Sequence, residues 1–220
     1  MQNTVLKKAL LFLFLGLMIK PWLGHAQIYS VNIKAVDAPD LRAKDGNIAL
    51  ASEERYGQGI IIDPRGIIAT NKHIIGKAMH IYVALSDGEI YEGHLLRNSL
   101  SDLCLIKINA SHPLRAIMLA DSSVVRIGNN VTAISSQGSN PHRKLGGQVV
   151  NIFKGRSSHH AELLEINIPL KPGDSGGAIL NEDGSLLGLI MGKRISDPSK
   201  SYAIASYRIK QEYFRYINNY

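Results

Sequence analysis

Between residues 56 and 205 the chain is cut by glycine, proline, asparagine and aspartate into short runs rich in isoleucine, valine and leucine. Runs of that kind, bounded by turn residues at close intervals, point to a barrel or a sandwich of short strands rather than to long helices. In the first half they cover residues 59–63, 66–70, 80–85, 90–96 and 103–108. Pro64-Arg65 sets the first turn, because proline holds the φ that the turn needs. Asp87-Gly88 sets the second, at a dipeptide that tolerates positive φ. The second half has runs at 131–136, 148–154, 163–168, 178–180, 186–192 and 202–205, with Asp183-Gly184 as its clearest hairpin turn. Residues 110–115, with Pro113, read as the connector between the halves, and no repeat of solenoid period recurs.

Only the end changes period. Ile209, Tyr213, Tyr216 and Ile217 share one face of a helix. This helix is expected to dock on the second β unit. A membrane-surface role fits less well, because Gln211 and Glu212 interrupt its basic polar face.

Residues 1–26 have the parts of a secretory signal: Lys7-Lys8, an apolar run over 9–19, and small residues at Gly24 and Ala26 before a cut. The run is short for a membrane-spanning helix, which needs about 20 residues. Export to the periplasm or the medium is therefore expected, with no stable membrane anchor. Cleavage would also remove Lys7, Lys8 and Lys20, lowering the formal charge of +7 by three. No basic run survives to track phosphates, so nucleic acid is not an expected partner. The single cysteine, Cys104, excludes an internal disulfide and a cysteine-rich zinc module. Stability must come from burial, for which 45% hydrophobic residues suffice. The expected organisation is a signal peptide at 1–26, a lead-in or propeptide at 27–55, β units at 56–115 and 116–206, and a helix at 207–220.

The chemistry concentrates in three places. Gly173-Asp174-Ser175-Gly176-Gly177 places a serine between glycines, where the backbone can turn sharply and aim N–H groups outward. A serine is a poor nucleophile unless a histidine takes its proton and a carboxylate holds that histidine in the right tautomer. His73 ends an apolar run and can be aimed by a rigid scaffold; His80, His94, His112, His142, His159 and His160 lack such a frame. Asp102 stands at the mouth of the 103–108 run, where a carboxylate can be fixed and partly desolvated. Taken singly, Ser175 reads as a turn serine, His73 as an ordinary histidine and Asp102 as a strand-edge residue. Their order, His then Asp then Ser, together with the hairpin that follows Ser175, excludes the nucleophile elbow of α/β-hydrolases, which runs from strand to helix in another order. His159-His160 makes a poor metal site, since adjacent strand residues face opposite ways.

Together these segments resemble the trypsin-like serine proteases of the chymotrypsin fold, in particular the bacterial HtrA-type branch and the glutamyl endopeptidases. The resemblance runs from about residue 57 to residue 205. It rests on Gly57-Gln58-Gly59, Ala69-Thr70-Asn71-Lys72-His73, Leu85-Ser86-Asp87-Gly88, Ser101-Asp102-Leu103 and Pro172-Gly173-Asp174-Ser175-Gly176-Gly177. It implies an all-β fold of two antiparallel β-barrels with a C-terminal helix and a cleft between the barrels. It also implies His73 as base, Asp102 as its orienter, Ser175 as nucleophile, and the N–H groups of Gly173 and Ser175 as oxyanion hole. The implied activity is peptide hydrolysis on a polypeptide substrate, with no metal and no cofactor.

The chain departs from these relatives in several places. The residues after Gly177 are expected to be mostly taken up by the second barrel, so that the PDZ domain that HtrA-type proteins usually append is not expected among these residues. Asp174 stands where HtrA-type enzymes typically carry asparagine; in the digestive branch, an aspartate there pairs with an N-terminus made by cleavage. Here it is expected to be solvated or paired with a cation such as Lys171. The glutamyl branch has a histidine in the stretch corresponding to residues 188–193, where this chain has Ile190 and Met191. An apolar pocket for an aliphatic side chain is expected instead, with Pro169, Ile190 and Ile204 as walls. Cys104 is expected to be a buried, inert thiol. The rival reading is a secreted protein-binding module on a catalytically silent scaffold of the same fold.

Overall fold

The computed structural model describes residues 29–44, 47–99, 101–137, 140–155 and 161–218. The signal peptide expected at 1–26 and the His159-His160 pair lie outside the described residues. Among the described residues the chain is all-β with one substantial helix. Strands β1 (Ser30–Val36), β4 (Glu54–Asp63), β5 (Ile67–Thr70), β6 (His80–Ala84), β7 (Ile90–Asn98) and β8 (Cys104–Ile108) close a barrel in the order β1-β4-β5-β8-β7-β6. A two-stranded hairpin, β2 (Asp40–Lys44) and β3 (Asn47–Ala51), is inserted between β1 and β4. The second barrel is built from β9 (Asn130–Gln137), β10 (Asn140–Lys154), β11 (Ala161–Ile166), β12 (Ala178–Leu180), β13 (Leu186–Lys193) and β14 (Ser201–Ala205), in the order β10-β11-β14-β13-β12-β9. Every strand pairing in both barrels is antiparallel.

The first barrel begins earlier than residue 56. β1 pairs with both β4 and β6, so part of the expected lead-in is a barrel strand without which the sheet would not close.

The continuous apolar runs of β5 and β8 follow from burial on both faces. Ile68, Cys104, Ile106 and Ile108 point into the first barrel, packing with Ile33, Ile61 and Val83. Their neighbours Ile67, Ala69, Leu103 and Leu105 point the other way, into a layer shared with Ile134, Ala178, Leu180, Leu186 and Leu189 of the second barrel. Side-chain alternation thus serves two cores at once, and the barrels are joined by hydrophobic burial. The connector stitches the same seam: Ile117 N–H donates to the Ile61 carbonyl at 3.0 Å, and Ala120 N–H to the Leu186 carbonyl at 2.9 Å.

Helix α2 closes the chain, after the one-turn α1 (Lys72–Ile75), and spans Ser206–Ile217. It docks on the second barrel, as expected, and clasps the first as well. Ser206 Oγ donates to the Ala120 carbonyl at 2.8 Å, and Ile209 is buried in the inter-barrel layer. Buried Glu212 accepts from Arg97 Nε of β7 at 2.9 Å, and Tyr213 donates its hydroxyl to Asp63 at the end of β4. Its apolar face is therefore taken up by protein. Among the described residues, no helix is long and apolar enough to cross a membrane.

Candidate active site

His73 sits on α1, the single helical turn that follows β5. Ile74 and Ile75 are buried and pin the turn to the first barrel, which leaves His73 half exposed at 50%. Arg55 holds the turn from behind, donating through Nε to the Ile74 carbonyl at 3.0 Å and through Nη2 to the Ile75 carbonyl at 2.8 Å. Asp37 fixes that guanidinium in a two-pronged contact at 2.9 and 2.5 Å. A planar guanidinium suits this double task in a way that a lysine does not.

Asp102 grips the histidine at two points. One carboxylate oxygen accepts the His73 backbone N–H at 2.9 Å, and the other meets Nδ1 at 2.7 Å. With Nδ1 as donor to the carboxylate, the lone pair of Nε2 faces away from Asp102. The Asp102 carbonyl in turn accepts from buried Asn71 Nδ2 at 3.1 Å, which ties the loop before β8 to the turn after β5. Cys104, two residues on, is buried, and that burial, with the nearby Asp102 charge adding to it, pushes its thiol up to about 12. The thiol stays protonated and inert.

Ser175 belongs to the second barrel, in the loop before β12. Residues 171–174 form a tight turn, with Asp174 N–H donating to the Lys171 carbonyl at 3.0 Å. Gly173, third in the turn, has a φ of +94°, and Pro172 before it can only be negative, which makes this a type II turn. Among the described residues, the N–H groups of Gly173 and Ser175 meet no acceptor. Gly176 has a φ of +82°, and a Cβ there would come within 1.8 Å of the Gln58 carbonyl oxygen. Only glycine lets the serine loop lie this close to β4.

That approach brings the two halves together. Gln58 of β4 donates its backbone N–H to the Ser175 carbonyl at 2.9 Å and its Nε2 to the Gly173 carbonyl at 2.8 Å. Its own carbonyl accepts from Thr70 at the end of β5, the strand that leads into His73, at 2.6 Å. The serine loop is therefore docked against the strands that carry the histidine. The Ser175 hydroxyl itself donates to the Met191 carbonyl at 3.3 Å and makes no hydrogen bond with His73.

Two expectations are corrected in part. Asp174 is not solvated; it is paired with a cation, as expected, but the cation is Arg143 and not the Lys171 side chain. Asp174 is fully buried, accepting from Ser135 Oγ at 2.7 Å, Arg143 Nη2 at 2.9 Å and the Lys171 backbone N–H at 2.7 Å. The expected pocket walls also fail in part. Ile190 is buried in the second barrel's core with Leu164 and Ile179, and Ile204 in the layer between barrels, so neither faces a cleft; Pro169 is exposed. Ile190 still pairs in register with Ala203 and alternates with Leu189, so its side chain enters the second barrel; the register shift follows it, at Met191, which lies half-buried beside Ser175. Sequence reasoning missed Arg55, Gln58, Ser135 and Arg143. Each lies far along the chain from the residue it serves, and no local spacing marks it.

Two closed antiparallel barrels, one carrying an Asp-held histidine and the other a serine on a glycine turn, define a chymotrypsin-type architecture. Residues 57–189 match the trypsin-like peptidase domain, and the chain belongs to that family. It is 36% identical over 141 residues to the serine endoprotease DegS of Escherichia coli K12, covering 60% of this chain and 38% of that protein. It is 34% identical over 139 residues to the periplasmic serine endoprotease DegP of the same organism, covering 60% of this chain and 29% of that one. The chain thus spans well under half the length of these relatives.

Proposed function

We propose that this chain is an exported serine endopeptidase that cleaves peptide bonds through an acyl-enzyme. The observation that carries the proposal is the two-point hold of Asp102 on His73, which leaves Nε2 free to accept a proton beside the docked serine loop. In this reading the Ser175 hydroxyl leaves the Met191 carbonyl, gives its proton to His73 Nε2, and its oxygen bonds to the scissile carbonyl carbon. The N–H groups of Gly173 and Ser175 take up the negative charge on the substrate oxygen. His73, stabilised as imidazolium by Asp102, returns the proton to the leaving amine. Water then attacks the acyl-enzyme by the same route, and Ser175 is regenerated. Export is supported by the leader at 1–26 and by the word periplasmic in the name of one relative.

The orientation of the Ser175 hydroxyl towards Met191 favours one rival, a protein-binding module on a silent scaffold. A fluorophosphonate probe separates them. The peptidase reading expects covalent labelling that disappears in Ser175→Ala. Folded wild-type protein that stays unlabelled at every pH between about 6 and 9 would leave the binding module as the better account.

A further inference from the structure

The serine turn is only useful if the Gly173 N–H points into the cleft, and in a four-residue turn the peptide between the second and third residues can face either way: type I and type II turns differ by its flip. Something must select type II here. The Asp174 carboxylate does so locally, because one of its oxygens accepts the Lys171 N–H at 2.7 Å and closes the turn a second time. Asp174 is 0% exposed, however, and a buried carboxylate with no cation beside it is strongly unfavourable. The cation is Arg143, whose Nη2 reaches the same oxygen at 2.9 Å. Ser135 takes the other oxygen at 2.7 Å. Ser135 and Arg143 are direct cross-strand partners on β9 and β10, so one rung of the hairpin supplies both donors.

We infer that Arg143 is a positioning residue of the proposed peptidase: its guanidinium is the built-in cation that holds Asp174 buried and so keeps the Gly173 N–H in the oxyanion-binding orientation. The cation comes from within the second barrel, and the β9–β10 hairpin, through Arg143, is the element whose displacement would disarm the turn. Only one N–H of Arg143 is used on Asp174, and its buried Nε has no partner. A lysine ammonium can thus replace the contact that matters.

The inference rests on the peptidase reading, and the test is built to separate the two. A peptide substrate is chosen from a library cleaved by the wild-type chain, and a peptide boronate of the same sequence serves as tetrahedral analogue. Arg143→Met should lower kcat by about 10²–10³, the usual effect of losing one oxyanion donor. KM should stay within a few-fold, and boronate affinity should fall by a similar factor to kcat. Arg143→Lys should restore most of the loss. Arg143→Met with Asp174→Asn should recover at least part of it, since no buried charge is then left unpaired; this pair decides the matter if the single variant does not fold. A folded Arg143→Met with wild-type kcat, or one whose kcat falls while boronate affinity holds, overturns the inference alone. A wild-type chain that neither labels at Ser175 nor cleaves any peptide overturns the peptidase reading and this inference together.

Discussion

Gln58→Met is the most informative single change outside His73, Asp102 and Ser175, because it keeps the length and volume of a side chain that is only 1% exposed and removes its amide. Among the described contacts, the one lost is the donor at 2.8 Å to the Gly173 carbonyl; the backbone bond from residue 58 to the Ser175 carbonyl is untouched. An amide–carbonyl bond contributes about 1 kcal/mol net, and a partly buried carbonyl left without its donor raises the cost to about 1–2 kcal/mol. For a chain of this size that corresponds to a fall in Tm of about 2–8 °C. The catalytic effect should be larger than the thermal one. The turn that carries the Gly173 N–H would lose its lateral support, and misplacement by a fraction of an ångström costs about 10- to 100-fold in rate. The assay pairs calorimetry with steady-state kinetics on a library-selected peptide. The expected pattern is a modest fall in Tm, a fall in kcat with little change in KM, and continued labelling of Ser175. A variant with unchanged Tm and kcat within about twofold of wild type would refute the reasoning, since an amide bond across the barrel seam would then support nothing.

Three further outcomes are expected. Ser175→Ala and His73→Ala should each lower kcat by about 10⁶, and Asp102→Asn by about 10⁴, measured on the same peptide. Asp63 accepts from Arg65 and Tyr213, and the Arg65 contact foremost holds its carboxyl down to about 2. A carboxyl depressed on folding stabilises the native state above its unfolded value near 3.8 and loses that contribution as pH falls towards 2. Because Arg65 is largely exposed the contribution is at most about 1 kcal/mol, so Asp63→Asn should be less stable than wild type at pH 6, and the gap should narrow below pH 3.8 and close as pH falls to about 2 in urea melts. Leu105→Ala opens the fully buried layer between the barrels and should cost about 2–5 kcal/mol, read as a lower urea midpoint at unchanged slope.

Much of the fold was legible because turn residues punctuate strands whose apolar runs are unbroken. The runs at 66–70 and 103–108 mark strands, and their lack of alternation already signals burial on two faces, although not which neighbour covers the second face. The lead-in strand was harder. Ser30–Val36 joins the barrel by pairing with β4 and β6, across an inserted hairpin that has no counterpart in its local pattern. The pocket expectation failed for a related reason. Side-chain direction in β13 is reset where the strand meets β12, with Ile179 opposite Gly188 and Leu180 opposite Leu186, so that Leu187 and Ile190 enter the same core, and a bulge leaves no mark in an apolar sequence. His73, Asp102 and Ser175 could be picked out because each carries its own flanking frame. Arg143 could not, since its relation to Asp174 is set by strand register 31 residues away.

The placement of charge in the site has a consequence for how its parts depend on one another. The His73 turn and the Ser175 turn are each stapled within their own barrel by an arginine–aspartate pair: Arg55 with Asp37 behind His73, and Arg143 with Asp174 beneath Ser175. Across the seam the polar contacts made by Gln58 are neutral. Charged hydrogen bonds contribute about 1.5–3 kcal/mol and neutral ones about half that, so each turn is tied more firmly to its barrel than to the other turn. Arg55 and Arg143 share no partner and act on different turns, so their effects on log kcat should add within about 0.5 kcal/mol when Arg55→Met and Arg143→Met are combined. Gln58 and Arg143 act on neighbouring residues of one turn, Gly173 and Asp174. Combining Gln58→Met with Arg143→Met should therefore fall short of the sum by about 0.5–3 kcal/mol, because a turn already released by one change has little left to lose from the other. Strict additivity in the second cycle would mean that the amide and the guanidinium do not hold the same turn, and the division of labour drawn from the geometry would be wrong.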